Sequence, residues 1–97
     1  MPTYVTLLKF TEQGVKSIKD WPARADAARK LVESFGGKVL GIYVTMGEYD
    51  VVAITEGPSD EKAAAATLSL ASRGFDRTTT LRAFTEQEFA EIVTKVV

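Results

Sequence analysis

The order of elements legible in the 97-residue chain, β, α, β, β, α, β, α, predicts an α+β domain of the ferredoxin-like kind. In that arrangement helices cover one face of an antiparallel four-stranded sheet, and here a helix is added at the C-terminus. Two further observations shape the expectation. Apolar side chains fall on both faces of the first three strands, so the face without helices also demands a cover. A glycine-led turn, Met46-Gly47-Glu48-Tyr49-Asp50-Val51, joins the second and third strands as a tight hairpin. One domain spanning 1–97 accounts for the whole chain.

Pro2 to Phe10 reads as the first strand, with Tyr4, Thr6, Leu8 and Phe10 on one face and Thr3, Val5, Leu7 and Lys9 on the other. Thr11 caps a short helix over Glu12–Lys19. Pro22 has no amide hydrogen and pushes Trp21 away from helical angles, which predicts a break at Asp20 and Trp21. A longer helix then runs from Pro22 to Phe35. Its stripe of Ala25, Ala28, Leu31, Val32 and Phe35 lies on the sheet, leaving Arg24 and its charged neighbours for water or the stripe's margins. Gly36 and Gly37 stop it.

Lys38–Met46 alternates as a second strand, with Leu40, Ile42, Val44 and Met46 expected toward the helices and Val39, Gly41, Tyr43 and Thr45 away from them. Tyr49–Glu56 gives the third strand. Ser59 caps the next helix, whose first turn holds Asp60 and Glu61 where the helix dipole favours acids and whose body runs over Lys62–Arg73 to a stop at Gly74. Phe75–Phe84 is the fourth strand. Thr85-Glu86-Gln87-Glu88 is a capping box opening a last helix expected to bury Phe89, Ile92, Val93 and Val96. Phe-Thr-Glu-Gln occurs at 10–13 and again at 84–87, both times where a strand becomes a helix, and shared capping chemistry accounts for it.

Composition excludes several chemistries. The chain has no cysteine and no histidine, which removes disulfides, thiolate nucleophiles, imidazole bases and the usual zinc ligands. No loop spaces carboxylates for a hard cation, so no metal and no cofactor is expected. A net charge of −1 with 26% charged residues offers nothing to a phosphate backbone, so nucleic acid is not an expected partner. No run approaches a membrane span and no signal-like segment opens the chain, so a cytoplasmic protein away from membranes is expected.

A small domain with apolar groups on its bare sheet face, expected here to carry Tyr43, Val51, Ala53 and neighbouring threonines, is covered most simply by the same face of a second copy. A homodimer or higher homo-oligomer is therefore expected, with the sheets stacked into an α/β barrel. Polar groups on facing sheets would line any gap, which makes Tyr43, Thr78, Thr80 and Arg82 candidate ligand contacts. Tyr49 and Asp50 at the hairpin complete the set. They fall on opposite faces by strand alternation, so they do not form a catalytic pair, and Asp50 is expected to accept hydrogen bonds. Arg77 and Arg82 likewise lie on opposite faces and cannot clamp one anion together.

The segment Gly47-Glu48-Tyr49-Asp50 after an apolar strand resembles the signature of the GYD-domain family of small bacterial and archaeal proteins. Supporting it are Gln13–Asp20 with Arg24, Ala27 and Ala28, the run Gly36-Gly37-Lys38-Val39, Thr45-Met46, and Thr80-Leu81-Arg82-Ala83-Phe84-Thr85. The likeness covers nearly the whole chain, with the departure that Glu48 separates Gly47 from Tyr49. It implies a ferredoxin-like dimeric barrel and brings no activity with it. The same turn is locally similar to the hairpin of the ligand-sensing domain in Lrp/AsnC-type regulators; with no DNA-binding helix-turn-helix ahead of it and no basic patch, a direct transcriptional role is not expected.

The function expected is a homo-oligomeric small-ligand-binding or sensing module. The alternatives are a small cofactor-independent barrel enzyme of the monooxygenase sort, by fold analogy alone, and a purely structural oligomer. A Pro2 amine nucleophile of the tautomerase kind fits the element order poorly.

Overall fold

β1 (Thr3–Phe10) lies inside the sheet, hydrogen-bonded on one side to β3 (Val51–Glu56) and on the other to β4 (Asp76–Ala83), while β2 (Lys38–Val44) pairs with β3 at the edge. The strand order is β2-β3-β1-β4, and every pairing is antiparallel. A computed structural model describes residues 1–97. α1 (Glu12–Lys16), α2 (Trp21–Ser34) and α3 (Asp60–Ala71) form the connections, and α4 (Glu86–Val93) follows the last strand. This is the ferredoxin-like arrangement with one added helix.

The capping chemistry forms as the residue types dictate. Thr11, Ser59 and Thr85 each accept an N–H from the first turn of their helix, and Thr85 with Glu88 makes the reciprocal box. The break before α2 takes a more compact form than expected. A single 3-10 turn at Ile18–Asp20 leads directly into α2, which starts at Trp21 with Pro22 in its first turn, where the missing amide hydrogen costs nothing.

Register assigns the faces. Tyr4, Thr6 and Leu8 sit opposite Thr55, Ala53 and Val51 on one side and Arg82, Thr80 and Thr78 on the other, and these side chains face the helices. Val51 is 1% exposed, and it lines a narrow apolar seam of about 90 Å³ with Leu8, Ala53, Val32 and Phe35. Val51 and Ala53 thus belong to the helix side, not to the bare face. β3 alternates as expected, and its register with β1, Leu8 opposite Val51 and Thr6 opposite Ala53, decides which set faces the helices.

β2, by contrast, departs from strict alternation. A bulge between Val39 and Gly41 inserts Leu40 as an extra residue, so Val39 and Ile42 both turn toward the helices and Leu40 is left 47% exposed. Met46, placed by simple alternation in the core, lies in the turn and is fully exposed.

The bare face carries Val5, Leu7, Val52, Ile54, Leu81 and Tyr43, with the Tyr43 ring folded back over Gly41. Leu81 and Tyr43 are 49% and 59% exposed. α4 packs extensively on no other element, and Phe89 and Val93 stay half open or more. Of the residues expected to be buried, Phe89, Val93 and Val96 are exposed and only Ile92 is partly covered, because little of the chain packs opposite α4.

The surface records the same shortfall. At 6514 Å², it exceeds by about 1000 Å² the roughly 5500 Å² expected of a compact 10.6 kDa chain. The radius of gyration of 14.5 Å likewise exceeds the roughly 12.5 Å of a compact chain of this length. No helix is long and apolar enough to cross a membrane.

Candidate functional site

Beside the apolar seam lie two more open clefts, each with polar or charged side chains in its lining. The first opens over β4 beside α3 and brings together Tyr4, Asp60, Thr67, Thr78, Thr80 and Arg82 around about 430 Å³. Tyr4, 4% exposed, donates its phenol hydrogen to Asp60 Oδ1 at 2.5 Å, tying the central strand to the first turn of α3. Burial pushes the Tyr4 phenol up to about 12, and the Asp60 carboxylate that accepts its proton adds to the rise. Thr80 Oγ1 lies 3.3 Å from Thr6 Oγ1 and 3.5 Å from Thr67 Oγ1, a chain of hydroxyls bridging sheet and helix.

Arg82 is already committed in this cleft. Its guanidinium lies 4.5 Å from the Phe84 ring centre and 5.8 Å from that of Tyr4, and Nη1 donates to the Ala83 carbonyl. Thr78, Thr80 and Arg82 therefore share a site with one another but not with Tyr43, which stands on the bare face. The expectation that all four would line a gap between stacked sheets is corrected by the register, which turns every second residue of β4 from Thr78 toward the helices.

Tyr49 and Asp50 also separate. The Tyr49 ring lies under the Lys9 ammonium at 5.2 Å, while its carbonyl accepts the Thr45 hydroxyl. Asp50 faces the main chain of β1: Oδ2 accepts the Phe10 N–H at 2.8 Å, and its own N–H donates to Leu8 O at 2.9 Å. Gly47, at φ +126°, supplies the turn that brings these two residues round. The hairpin's acid is a hydrogen-bond acceptor within the fold.

The second cleft, of about 550 Å³, lies where α2 and the end of α3 meet the start of β4. Arg24 and Asp76 dominate it. Arg24, placed by helical periodicity at the water-facing margin, instead turns inward among Phe75, Phe10 and Trp21, at 4.9, 5.7 and 5.9 Å from their ring centres. Phe10 and Trp21 themselves meet edge to face at 5.8 Å. Arg24 Nη1 donates to Gly14 O at 3.2 Å, while Nε and Nη2 are buried with no partner.

Asp76 is 8% exposed, and its Oδ1 also lacks a partner. Burial raises its carboxyl above the ordinary range, with Arg24 pulling the other way and Asp50 adding to the rise. Sequence reasoning assigns a site role to neither residue. The usable signal is the cluster of aromatic residues at the two strand ends, Phe10 and Phe75, beside Trp21, which can house a cation.

A family model for the GYD domain matches residues 4–93. The chain belongs to the GYD-domain family. This GYD-domain chain is 36% identical over 84 residues to a Thermus thermophilus protein named glutamine synthetase and cystathionine beta-lyase binding protein, covering 86% of the chain and 88% of the relative. Among solved structures it resembles MtbAldR, with a TM-score of 0.68 at 12% identity over 88% of the chain. It also resembles TTHA0845 from Thermus thermophilus, with 0.57 at 23% over 88% of this chain and 95% of that one. The Mycobacterium tuberculosis leucine response regulatory protein LrpA gives 0.50 at 15% over 88% of the chain. The GYD-domain chain spans 52% of MtbAldR and 53% of LrpA, and these likenesses are ones of fold.

Proposed function

We propose that this GYD-domain chain is a small-ligand-binding or sensing module that works as a homodimer or higher homo-oligomer joined through the helix-free sheet face. The observation that carries the reading is the uncovered row of Val5, Leu7, Val52, Ile54 and Leu81, with Tyr43 at its margin. An excess surface of about 1000 Å² per chain is close to the ~800 Å² that each partner commonly buries in a stable interface. The same face of a second copy matches it in extent and character. Each copy keeps its helix-side clefts free for a ligand, including the one holding Thr78, Thr80 and Arg82, while Tyr43 and Tyr49 serve association. Native mass spectrometry of protein purified from its source tests this. A dimer carrying a bound small molecule is expected, and a bare single chain overturns it.

A second reading, binding of a protein partner, is favoured by the name of the 36% identical relative, a binding protein for two enzymes. The exposed Phe89 and Val93 of α4, with Val96 just beyond its end, would be the contact surface. Under this reading Phe89→Asp abolishes co-migration of the purified chain with glutamine synthetase while leaving the homodimer intact. Unchanged co-migration contradicts it.

A further inference from the structure

Two groups of opposite charge share the cleft between α2 and β4, and each has buried polar atoms with no hydrogen-bond partner in the protein. Arg24 Nε and Nη2 lie on one edge of the planar guanidinium, the pair of donors that grips a carboxylate side-on. The three ion pairs of the chain involve Lys9, Lys16 and Lys30, so no carboxylate engages Arg24. Its third nitrogen is held by Gly14 O, and three aromatic rings shield the group from water. Asp76 Oδ1 is the complementary vacancy, an acceptor with no donor on a residue 8% exposed. Buried polar atoms normally find partners, and three without any in one cleft mark a place where partners come from outside.

We propose that this cleft binds a small zwitterion, its carboxylate on the Arg24 Nε and Nη2 fork and its protonated amine on Asp76 Oδ1, of which an α-amino acid with a modest apolar side chain is the simplest case. A lone anion would satisfy Arg24 and be repelled by Asp76, and a lone cation would meet the reverse conflict. Only a molecule carrying both charges close together answers both vacancies while adding no net charge to a desolvated site. Leu8, Ala27, Ala28 and Leu70 supply an apolar wall for its side chain, and about 550 Å³ suits a molecule of that size. Arg24 and Asp76 both line the cleft, and binding in this way requires the Arg24 guanidinium to turn from among the rings toward the opening.

The inference rests on the reading of the chain as a small-ligand binder but not on its dimer, because the cleft lies within one chain. Trp21, the only tryptophan, lines the cleft and reports directly on occupancy. The full chain is titrated with leucine, with 4-methylpentanoate, which lacks the amine, and with 3-methylbutylamine, which lacks the carboxylate. Trp21 emission and calorimetric heat are followed together. Leucine is expected to saturate both signals, and each half-molecule to bind at least about tenfold more weakly, since a charged hydrogen bond is lost.

Asp76→Asn should erase the preference for leucine over 4-methylpentanoate. Arg24→Lys, which keeps the charge but not the fork, should weaken both by about tenfold or more. Circular dichroism confirms that each variant is folded. No saturable signal with leucine, alanine or valine up to about 10 mM overturns the proposal, as does equal affinity for leucine and the amine-free acid. A direct Arg24–Asp76 ion pair would give the first of these outcomes. Mass measured on the same samples keeps the two readings apart: a dimer that ignores all three amino acids sinks only this inference, and a monomer that binds leucine sinks only the dimer.

Discussion

The Asp50 carboxylate accepts the backbone N–H of Phe10 at 2.8 Å, joining residues 40 apart in the chain. The β1–β3 ladder ends at the pair Leu8 and Val51, where the hairpin main chain peels away. Asp50 extends the pairing by one further bond, its side chain standing in for a carbonyl. Asp50→Ala leaves the Phe10 donor without its acceptor and should cost about 1–3 kcal/mol in urea unfolding. Asp50→Asn keeps an acceptor oxygen and should cost measurably less.

Gly14 is fixed by close approach. A Cβ there would stand 2.2 Å from the Phe75 carbonyl oxygen, which also accepts the Thr11 N–H at 3.0 Å. Gly14→Ala must therefore push α1 away from the start of β4, and a loss of about 1–3 kcal/mol is expected in thermal or urea unfolding. The same displacement should alter Trp21 emission, because Arg24 bonds the Gly14 carbonyl.

Tyr4 carries a pH signature at the alkaline end. Its phenol is raised to about 12, so folding favours the neutral form. Its contribution to stability is full below the ordinary tyrosine value of roughly 10 and is lost as pH climbs through about 12. Absorbance titration of phenolate formation should show a step near 12 that vanishes in Tyr4→Phe. A Tyr4→Phe profile identical to that of the parent chain above pH ~10 would contradict the burial of Tyr4 and its bond to Asp60.

Asp76 gives the corresponding signature in acid. Its folded carboxyl is raised, mainly by burial, so the charged form is disfavoured by the fold. The sign follows: Asp76 favours folding below its unfolded value, and this benefit disappears as pH rises through the folded one. Asp76→Asn should therefore raise the melting temperature at neutral pH, with the difference shrinking to nothing as pH falls below the ordinary aspartate range. A variant less stable than the parent at neutral pH would show that Asp76 has a strong partner in the fold.

Much of this fold is legible in local chemistry. The caps at Thr11, Ser59 and Thr85 and the stops at Gly36 and Gly74 announce the element order, because each depends on residues within a turn of one another. Face assignments fail where alternation is interrupted or where register decides. The bulge at Leu40 shifts the phase of β2, while in β3 the alternation is regular and only the register against β1 decides which set meets the helices; neither is marked by residue type alone. The site is less legible still. Thr78, Thr80 and Arg82 are polar residues on a strand and invite attention, yet Arg82 is occupied by rings and carbonyls. Arg24 hides on a helix margin, and only the meeting of Phe10, Trp21 and Phe75 in space draws it inward.

Leu81 stands on the edge strand β4 of the uncovered sheet face, 49% exposed, so a single chain tolerates an acid there better than a face-to-face pair does. Light scattering at micromolar concentration, on the parent chain and on Leu81→Asp, tests most directly whether that face joins two copies. The parent should show at least twice its 10.6 kDa chain mass, and the variant should fall to the single-chain mass with an unchanged circular dichroism spectrum. A parent of 10.6 kDa, or a variant whose mass stays with the parent's, would contradict it.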